Sequence, residues 1–190
     1  MKYLKIILIS ICIPVLLGSS THLTSPIQIH YPDQQQLVQL VLKGMGVWTP
    51  GSEQLVHRTG AVESFYRFRD SMHNGPELGY WQIHPKTARD ILYRYLQRPS
   101  KAELKQGVEA VLGYQIDWLR EEPGRLESQL RNNDILGIAL ARVWYGMAPY
   151  RIPRQDNMWG QALMWKRWFN TYKGNGSVRM FVRKATRFEA

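Results

Sequence analysis

Residues 55–66 read Leu-Val-His-Arg-Thr-Gly-Ala-Val-Glu-Ser-Phe-Tyr, and the spacing of their side chains decides which kind of fold to expect. One face of a helix would carry Leu55, Val56, Thr59, Val62 and Tyr66. That face predicts a helix packed against a core, and Glu63 lies on the same face. Because dry surroundings disfavour an ionised carboxylate, we expect the pKa of Glu63 to be raised toward neutrality, which would make it a proton donor.

Glu63 has a second interpretation, which helical spacing alone favours. It would lie exposed at the edge of the apolar face, or pair with Arg67 one turn later. The sequence that follows shifts the preference back to a buried, protonatable Glu63.

The stretch 79–85 begins sixteen residues after Glu63 and reads Gly-Tyr-Trp-Gln-Ile-His-Pro, after a turn-forming Asn-Gly-Pro. Alternating side chains predict a short strand or extended loop, with Tyr80 and Gln82 on one side and Trp81 on the other. Aromatic faces pack on pyranose rings, and an amide both donates and accepts hydrogen bonds, so this stretch suits a sugar site. Taken singly, the two aromatic residues are more often core residues.

Glu63-Ser64 together with residues 79–85 resembles the Glu-Ser and Gly-Leu-Met-Gln-Ile-x-Pro signatures of soluble-lytic-transglycosylase-type, lysozyme-like enzymes. The family's Leu-Met is replaced here by Tyr-Trp. The third family signature, an Ala-Tyr-Asn-Ala-Gly-like helix end, is matched by residues 141–146. There Tyr145 takes the place of the family tyrosine, and Gly146 stands where the family has Asn.

The resemblance extends over residues 50–172. The tract that begins at Asn74 and the tail Trp165-Lys-Arg-Trp-Phe-Asn-Thr look closer to phage-encoded, virion-associated members. The resemblance implies a mainly α, lysozyme-like (α+β) single domain with a small β-like flap beside the active-site helix.

The resemblance also implies a peptidoglycan lytic transglycosylase that needs no metal and no cofactor. Glu63 would protonate the bridging oxygen and then take a proton from the muramoyl 6-hydroxyl, giving a 1,6-anhydro product. The substrate's acetamido group would stabilise the positive centre. The resemblance makes Ser64 and Tyr145 the residues that orient Glu63, and assigns glycan contacts to Tyr80, Trp81 and Gln82.

Helical patterns cover most of the chain, so a mostly α domain is predicted from the residues themselves. The expected helices are 33–46, one capped by Ser52, 86–96 after Pro85, 101–121 with a Ser100/Glu103 capping box, one from Asn133 or Asp134, and two capped by Asp156 and Ser177. From Ile135 to Tyr145 only Arg142 is charged, so this helix should run through the centre of the domain.

The N-terminus predicts export. Residues 1–20 look like a secretory leader, with an uncleaved membrane anchor as the alternative, and 21–31 read as a polar linker before the domain 32–190. Cys12, the only cysteine, lies in the leader. We therefore expect a secreted, periplasmic or cell-envelope protein, whose N-terminus offers a route to a membrane or a virion.

The net charge of +10 suits anionic partners, which include cell-wall polymers, lipid headgroups and nucleic acid. The basic residues Arg179, Arg183, Lys184 and Arg187 are more simply a solvated helix face, so nucleic acid is the less favoured partner. The five histidines lack ligand spacing, so no metal site is expected.

Three rival functions stay open. A muramidase of the same fold would hydrolyse the bond with a second carboxylate, yet nearby Asp70 and Glu77 are more simply a turn residue and a solvent-facing residue. A non-catalytic wall-binding or virion module would keep the fold without chemistry. A basic nucleic-acid-associated protein would bind in a salt-dependent way irrespective of Glu63.

Overall fold

The structure is a computed structural model, and it describes residues 31–71, 74–171 and 174–190. The predicted leader and residues 21–30 of the predicted linker lie outside these ranges. The first helix begins at Tyr31, which the sequence had assigned to the linker. The prediction of a mainly α chain is confirmed, since helices account for most of the described residues.

The described part of the chain contains eight α-helices. They are α1 Tyr31–Gly44, α2 Pro50–Ser64, α3 Pro85–Asp90, α4 Ala102–Leu112, α5 Arg125–Asn132, α6 Asp134–Gly146, α7 Met158–Met164 and α8 Val178–Glu189. Single π-helical turns extend α3 over Ile91–Tyr95 and α7 over Trp165–Phe169, and 3₁₀ turns occupy Pro99–Lys101 and Ile116–Arg120.

Helix α6 lies at the centre, as its sequence predicted. Asn133 caps it by accepting a hydrogen bond from the Leu136 amide at 3.2 Å. Nearly every side chain from Leu136 to Tyr145 is buried, and α1, α2, α4 and α5 all pack against this helix. Helix α6 has almost no polar face, and it is therefore surrounded by other helices, as expected.

Helix α2 carries Glu63 and begins one residue after Thr49. Thr49 is the N-cap, and Ser52, the predicted cap, is instead the third helical residue and completes the capping box. The helix ends at Ser64 because Phe65 and Tyr66 both adopt left-handed conformations, with φ of 53° and 52°.

The segment that was predicted as a short strand or extended loop is a tight turn. Leu78 and Ile83 form an isolated antiparallel β-bridge, and no strand occurs in the described ranges. The chain reverses because Gly79 and Gln82 have positive φ values of 71° and 47°. Gly79 cannot be replaced easily, since an added Cβ would lie 2.3 Å from the Leu130 carbonyl oxygen. The expected alternation of side chains is lost with the extended backbone.

Other helix boundaries also differ from those predicted. The predicted helix 101–121 ends at Leu112, where Gly113 takes a left-handed C-cap conformation, and the Ser100/Glu103 capping box does not form. Asn157, not Asp156, caps α7, whereas Ser177 caps α8 as predicted.

The C-terminal helix α8 is tied to α2 by an ion pair. Arg58 is buried, and its guanidinium contacts both carboxylate oxygens of Glu189 at 2.6 and 3.1 Å. Breaking this pair would be costly because the Arg58 guanidinium is buried and would lose its counter-charge. This pair holds the last turn of α8 beside α2.

None of the helices in the described ranges combines the length and apolar character that a membrane crossing requires.

Candidate functional site

Glu63 lies in the last turn of α2 and keeps a partly exposed surface. Its Oε1 accepts a 2.7 Å hydrogen bond from the indole Nε1 of Trp165. Trp165 is 1% exposed, and its ring packs against Phe181 of α8 with 5.2 Å between ring centroids. The donor to Glu63 is therefore held by packing and cannot easily turn away.

Burial raises the pKa of the Glu63 carboxyl to about 7. The hydrogen bond from Trp165 and the charge of Lys184 lower that pKa, while the charge of Glu77 raises it. A carboxyl with this pKa is partly protonated near neutral pH, so it can both give and accept a proton. This agrees with what the apolar helix face predicted.

Lys184 is a cation whose charge acts on the Glu63 carboxyl. Its Nζ donates to the Val62 carbonyl oxygen at 2.8 Å and lies 4.9 Å from the centroid of the Phe65 ring. Burial lowers the pKa of Lys184, and the charge of Glu63 raises it. Lys184 thus donates a hydrogen bond to a carbonyl at the end of α2, and its charge lowers the pKa of Glu63.

Ser64 does not contact the Glu63 carboxyl through a hydrogen bond. Its hydroxyl donates to the Gly60 carbonyl at 3.1 Å and accepts from the Tyr66 amide at 3.1 Å. Ser64 is fully buried and stabilises the end of α2. The expectation that Ser64 orients Glu63 is corrected: it holds the backbone that carries Glu63.

Tyr145 contacts Thr59 instead of Glu63. The two hydroxyl oxygens lie 2.7 Å apart, and Thr59 also donates to the Leu55 carbonyl at 2.7 Å. Because a hydroxyl has one proton, Tyr145 is the donor in this pair. Burial raises the pKa of Tyr145 and the negative charge of Glu63 raises it further, so the phenol stays neutral.

Tyr80 and Trp81 are core residues, which corrects their assignment to glycan contacts. Trp81 is 1% exposed, its indole donates to the Val56 carbonyl at 2.9 Å, and its ring lies so close to Gly137 that a Cβ there would clash at 2.7 Å. Tyr80 is 5% exposed, and the Arg69 guanidinium covers its ring at 4.0 Å. Neither ring presents a face to a sugar.

Gln82 is half-buried and holds its own turn together. Its amide Nε2 donates to the Gly79 carbonyl at 2.9 Å and to the Asp70 carbonyl at 3.3 Å. These bonds connect the 78–83 turn to the segment that follows α2. The expected glycan contact of Gln82 stays a prediction.

The two nearby carboxylates differ in what they do. Asp70 is exposed and pairs with Arg131 at 2.6 Å, as expected of a turn residue. Glu77 is half-buried, accepts a 3.2 Å hydrogen bond from Ser71, and is close enough to raise the pKa of Glu63. Glu77 was expected to face solvent, but its side chain is only partly exposed.

The helical spacing that would pair Arg67 with Glu63 is not present. Arg67 would have to lie one helical turn after Glu63, yet α2 ends at Ser64. The chain turns through two left-handed residues before it reaches Arg67.

A cavity of about 320 Å³ opens at the C-terminal end of α2. It is lined by Phe65 and Arg67, which follow α2, and by Arg187 and Phe188 in the last turns of α8. Within residues 31–71, 74–171 and 174–190, no group of three His, Cys, Asp or Glu side chains is placed to hold a metal ion.

Sequence reasoning missed Trp165 and Lys184 as neighbours of Glu63. Both come from the C-terminal third of the chain and come close to Glu63 only through the packing of α7 and α8 beside α2. Trp165 had been noted as the first residue of the tail that resembles phage-encoded members. No local signal in the sequence pairs either residue with Glu63.

The chain was also compared with known proteins. No protein-family model, no curated protein and no solved structure matches it.

Proposed function

We propose that this protein is a peptidoglycan lytic transglycosylase that cleaves the MurNAc–GlcNAc β-1,4 bond with Glu63 as its single acid and base. The observation that carries the proposal is the Glu63 carboxyl at the end of α2, with a pKa of about 7 and an indole hydrogen bond to one oxygen. A lysozyme-like arrangement, with the 78–83 turn as its reduced flap, is part of the proposal.

In the first step, the protonated Glu63 gives its proton to the bridging oxygen while the bond from that oxygen to the muramoyl C1 breaks. The acetamido oxygen of the same sugar stabilises the positive C1. In the second step, the Glu63 carboxylate takes the proton of the 6-hydroxyl, and that oxygen bonds to C1. The product is a 1,6-anhydro ring, and Glu63 ends protonated, as it began.

The environment of Glu63 suits both steps. Burial favours the protonated form that the first step needs, and the indole of Trp165 and the charge of Lys184 stabilise the carboxylate that the second step needs. A pKa near the working pH balances the two requirements.

Glu63→Gln tests the proposal, because the amide keeps the shape and the acceptor for Trp165 but cannot give up a proton. Turnover of purified sacculi should fall by at least about 10²–10⁴-fold. The control Glu103→Gln removes the same charge from an exposed position on α4 and should cleave normally. Sacculus lysis by Glu63→Gln within threefold of the natural protein would remove Glu63 from the mechanism.

A muramidase is the second candidate, because Glu77 is a second carboxylate, close enough for its charge to raise the pKa of Glu63. Mass spectrometry of the digest separates the two, since the anhydro product lacks one water. Binding to sacculi without any cleavage would instead indicate a non-catalytic wall-binding or virion module.

A nucleic-acid-associated protein predicts a different outcome. Its affinity for DNA or RNA would fall steeply with salt and would be the same in the Glu63→Gln variant.

A further inference from the structure

The cavity at the end of α2 is lined by aromatic and cationic side chains. Two arginines and two phenylalanines line about 320 Å³, and no carboxylate is among the lining residues. Arginine forms paired, charge-assisted hydrogen bonds with carboxylates, and aromatic faces pack on flat or ring-shaped groups. The lining therefore favours an anionic ligand that also has a ring or other apolar surface.

The cavity is built on well-packed parts of the fold. Phe188 packs against Tyr66 and His57, with ring centroids 5.7 and 5.4 Å apart. Tyr66 is buried, and its hydroxyl donates to the His57 carbonyl at 2.8 Å. The aromatic floor of the cavity is thus fixed to α2.

The cavity is also adjacent to the end of α2 that carries Glu63. Phe65, which lines it, follows Glu63 by two residues, and Lys184 bridges the two regions. The Lys184 amine lies 4.9 Å from the Phe65 ring centroid and 2.8 Å from the Val62 carbonyl oxygen. A long substrate that places its scissile bond at Glu63 would extend along this edge of α2.

Arg187 is the cation best suited to meet such a ligand. It is exposed in the last turn of α8, and none of the ion pairs among the described residues involves it. Ion pairing of α8 with α2 is provided instead by Glu189 and Arg58. The charge of Arg187 is therefore not needed to hold the helix in place.

We propose that this cavity binds the carboxylate-bearing part of a glycan strand, with Arg187 and Arg67 contacting the carboxylate and Phe65 and Phe188 packing on its apolar surface. The inference rests on the proposed function for the identity of the polymer. In peptidoglycan a carboxylate comes from two sources, the lactyl group of a muramic acid without a peptide and the peptide stem itself.

The test measures dissociation constants in the Glu63→Gln background, so that no ligand is consumed. Three soluble glycan fragments are compared: one with peptide stems, one with the stems removed so that lactyl carboxylates are free, and one with its carboxylates amidated. Arg187→Ala should weaken binding of the carboxylate-bearing fragments about tenfold, the loss of one charge-assisted contact. Arg187→Lys should restore part of the affinity.

Arg179→Ala is the matched control, because it removes the same charge from an exposed position two turns earlier on α8, outside the cavity lining. It should leave binding within twofold. The amidated fragment should bind weakly and equally to all variants. An effect on the stem-free fragment assigns the lactyl carboxylate, and an effect only on the stem-bearing fragment assigns the peptide.

Equal affinity of the Arg187→Ala and Arg179→Ala variants, or tight binding of the amidated fragment, would overturn the inference. Cleavage by the natural protein is measured separately. If the natural protein cleaves glycan while the Arg187→Ala variant binds normally, the inference about the cavity is wrong and the proposed function stands. If the natural protein does not cleave glycan while binding depends on Arg187 and on the carboxylate, the proposed function is wrong and the inference about the cavity stands.

Discussion

The indole N–H of Trp165 donates a 2.7 Å hydrogen bond to Oε1 of Glu63, across 102 positions of the chain. Because Oε1 already accepts the hydrogen bond from Trp165, the carboxylic acid proton of Glu63 belongs on Oε2. The bond also favours the ionised carboxylate, and so limits how far burial can raise its pKa. The position of Trp165 therefore favours Oε2 as the oxygen that carries the proton, and it moderates the rise in pKa that burial causes.

The stability of the protein should carry a signature of the Glu63 pKa. A carboxyl raised from 4.5 to about 7 holds its proton better in the folded state, so its contribution is full below pH 4.5 and is lost as pH rises to about 7. The loss amounts to about 3 kcal/mol.

His57 opposes this trend, because burial lowers its pKa from 6.5 to about 4. Its contribution is present above pH 6.5 and is lost as pH falls toward 4, so the two slopes offset each other between pH 4.5 and 6.5. Chemical unfolding of the natural protein should show little change there, whereas Glu63→Gln should become more stable as pH rises. Parallel curves for the two proteins would show that the Glu63 pKa is ordinary.

Trp165→Phe should shift the alkaline limb of the activity profile to higher pH. Without the indole donor, the ionised carboxylate loses a stabilising hydrogen bond, and the Glu63 pKa rises above about 7. Turnover should also fall, since the carboxyl is no longer held by Trp165. The measurement is the pH dependence of sacculus cleavage.

Trp168→Phe is the control for this change. Trp168 lies in the same π-helical turn, and its buried indole nitrogen has no hydrogen-bond partner among the described residues. Its replacement removes an indole without removing a bond to Glu63, so the limb should stay in place. Equal shifts in both variants would attribute the effect to packing alone.

Glu77→Gln should move the same limb in the opposite direction. The charge of Glu77 raises the pKa of Glu63, so its removal should lower that pKa and bring the loss of activity to lower pH. Asp70→Asn, which changes an exposed carboxylate in the same loop, should leave the profile unchanged.

The size of the effect also separates the two candidate reactions. A transglycosylase should keep most of its activity in Glu77→Gln at its new optimum. Suppose instead that Glu77→Gln loses activity about 10²-fold or more at its new optimum, and that the natural protein gives the hydrolysed product without an anhydro ring. Glu77 would then be the second carboxylate of a hydrolase.

The helical part of the fold was predictable because its signals are local. The apolar run of α6 and the placement of Glu63 on the apolar face of α2 both follow from spacing along one helix. Trp81 shows the limit of such reasoning. Whether an aromatic ring meets solvent or Gly137 depends on how α6 packs, and that packing is a tertiary feature.

The candidate site was predictable only for its central residue. Trp165 and Lys184 lie close to Glu63 because α7 and α8 fold back against α2, and the Arg58–Glu189 pair holds α8 there. Spacing along the chain carries no information on contacts of this range. The prediction of a strand or extended loop at 78–83 failed for another reason. Gln82 has a positive φ there, and glutamine rarely adopts that conformation.

Tyr145→Phe should change stability more than catalysis, because the phenol donates to Thr59 and not to Glu63. Its ring stays packed on Phe169, with 5.5 Å between centroids, so only the hydrogen bond is lost. The free energy of unfolding should fall by about 0.5–1.5 kcal/mol. A double-mutant cycle with Thr59→Val should return a coupling energy within that range. The kcat on glycan strands should stay within about threefold of the natural value, whereas a loss of tenfold or more with unchanged KM would mean that the Tyr145 hydroxyl acts on Glu63 during the reaction.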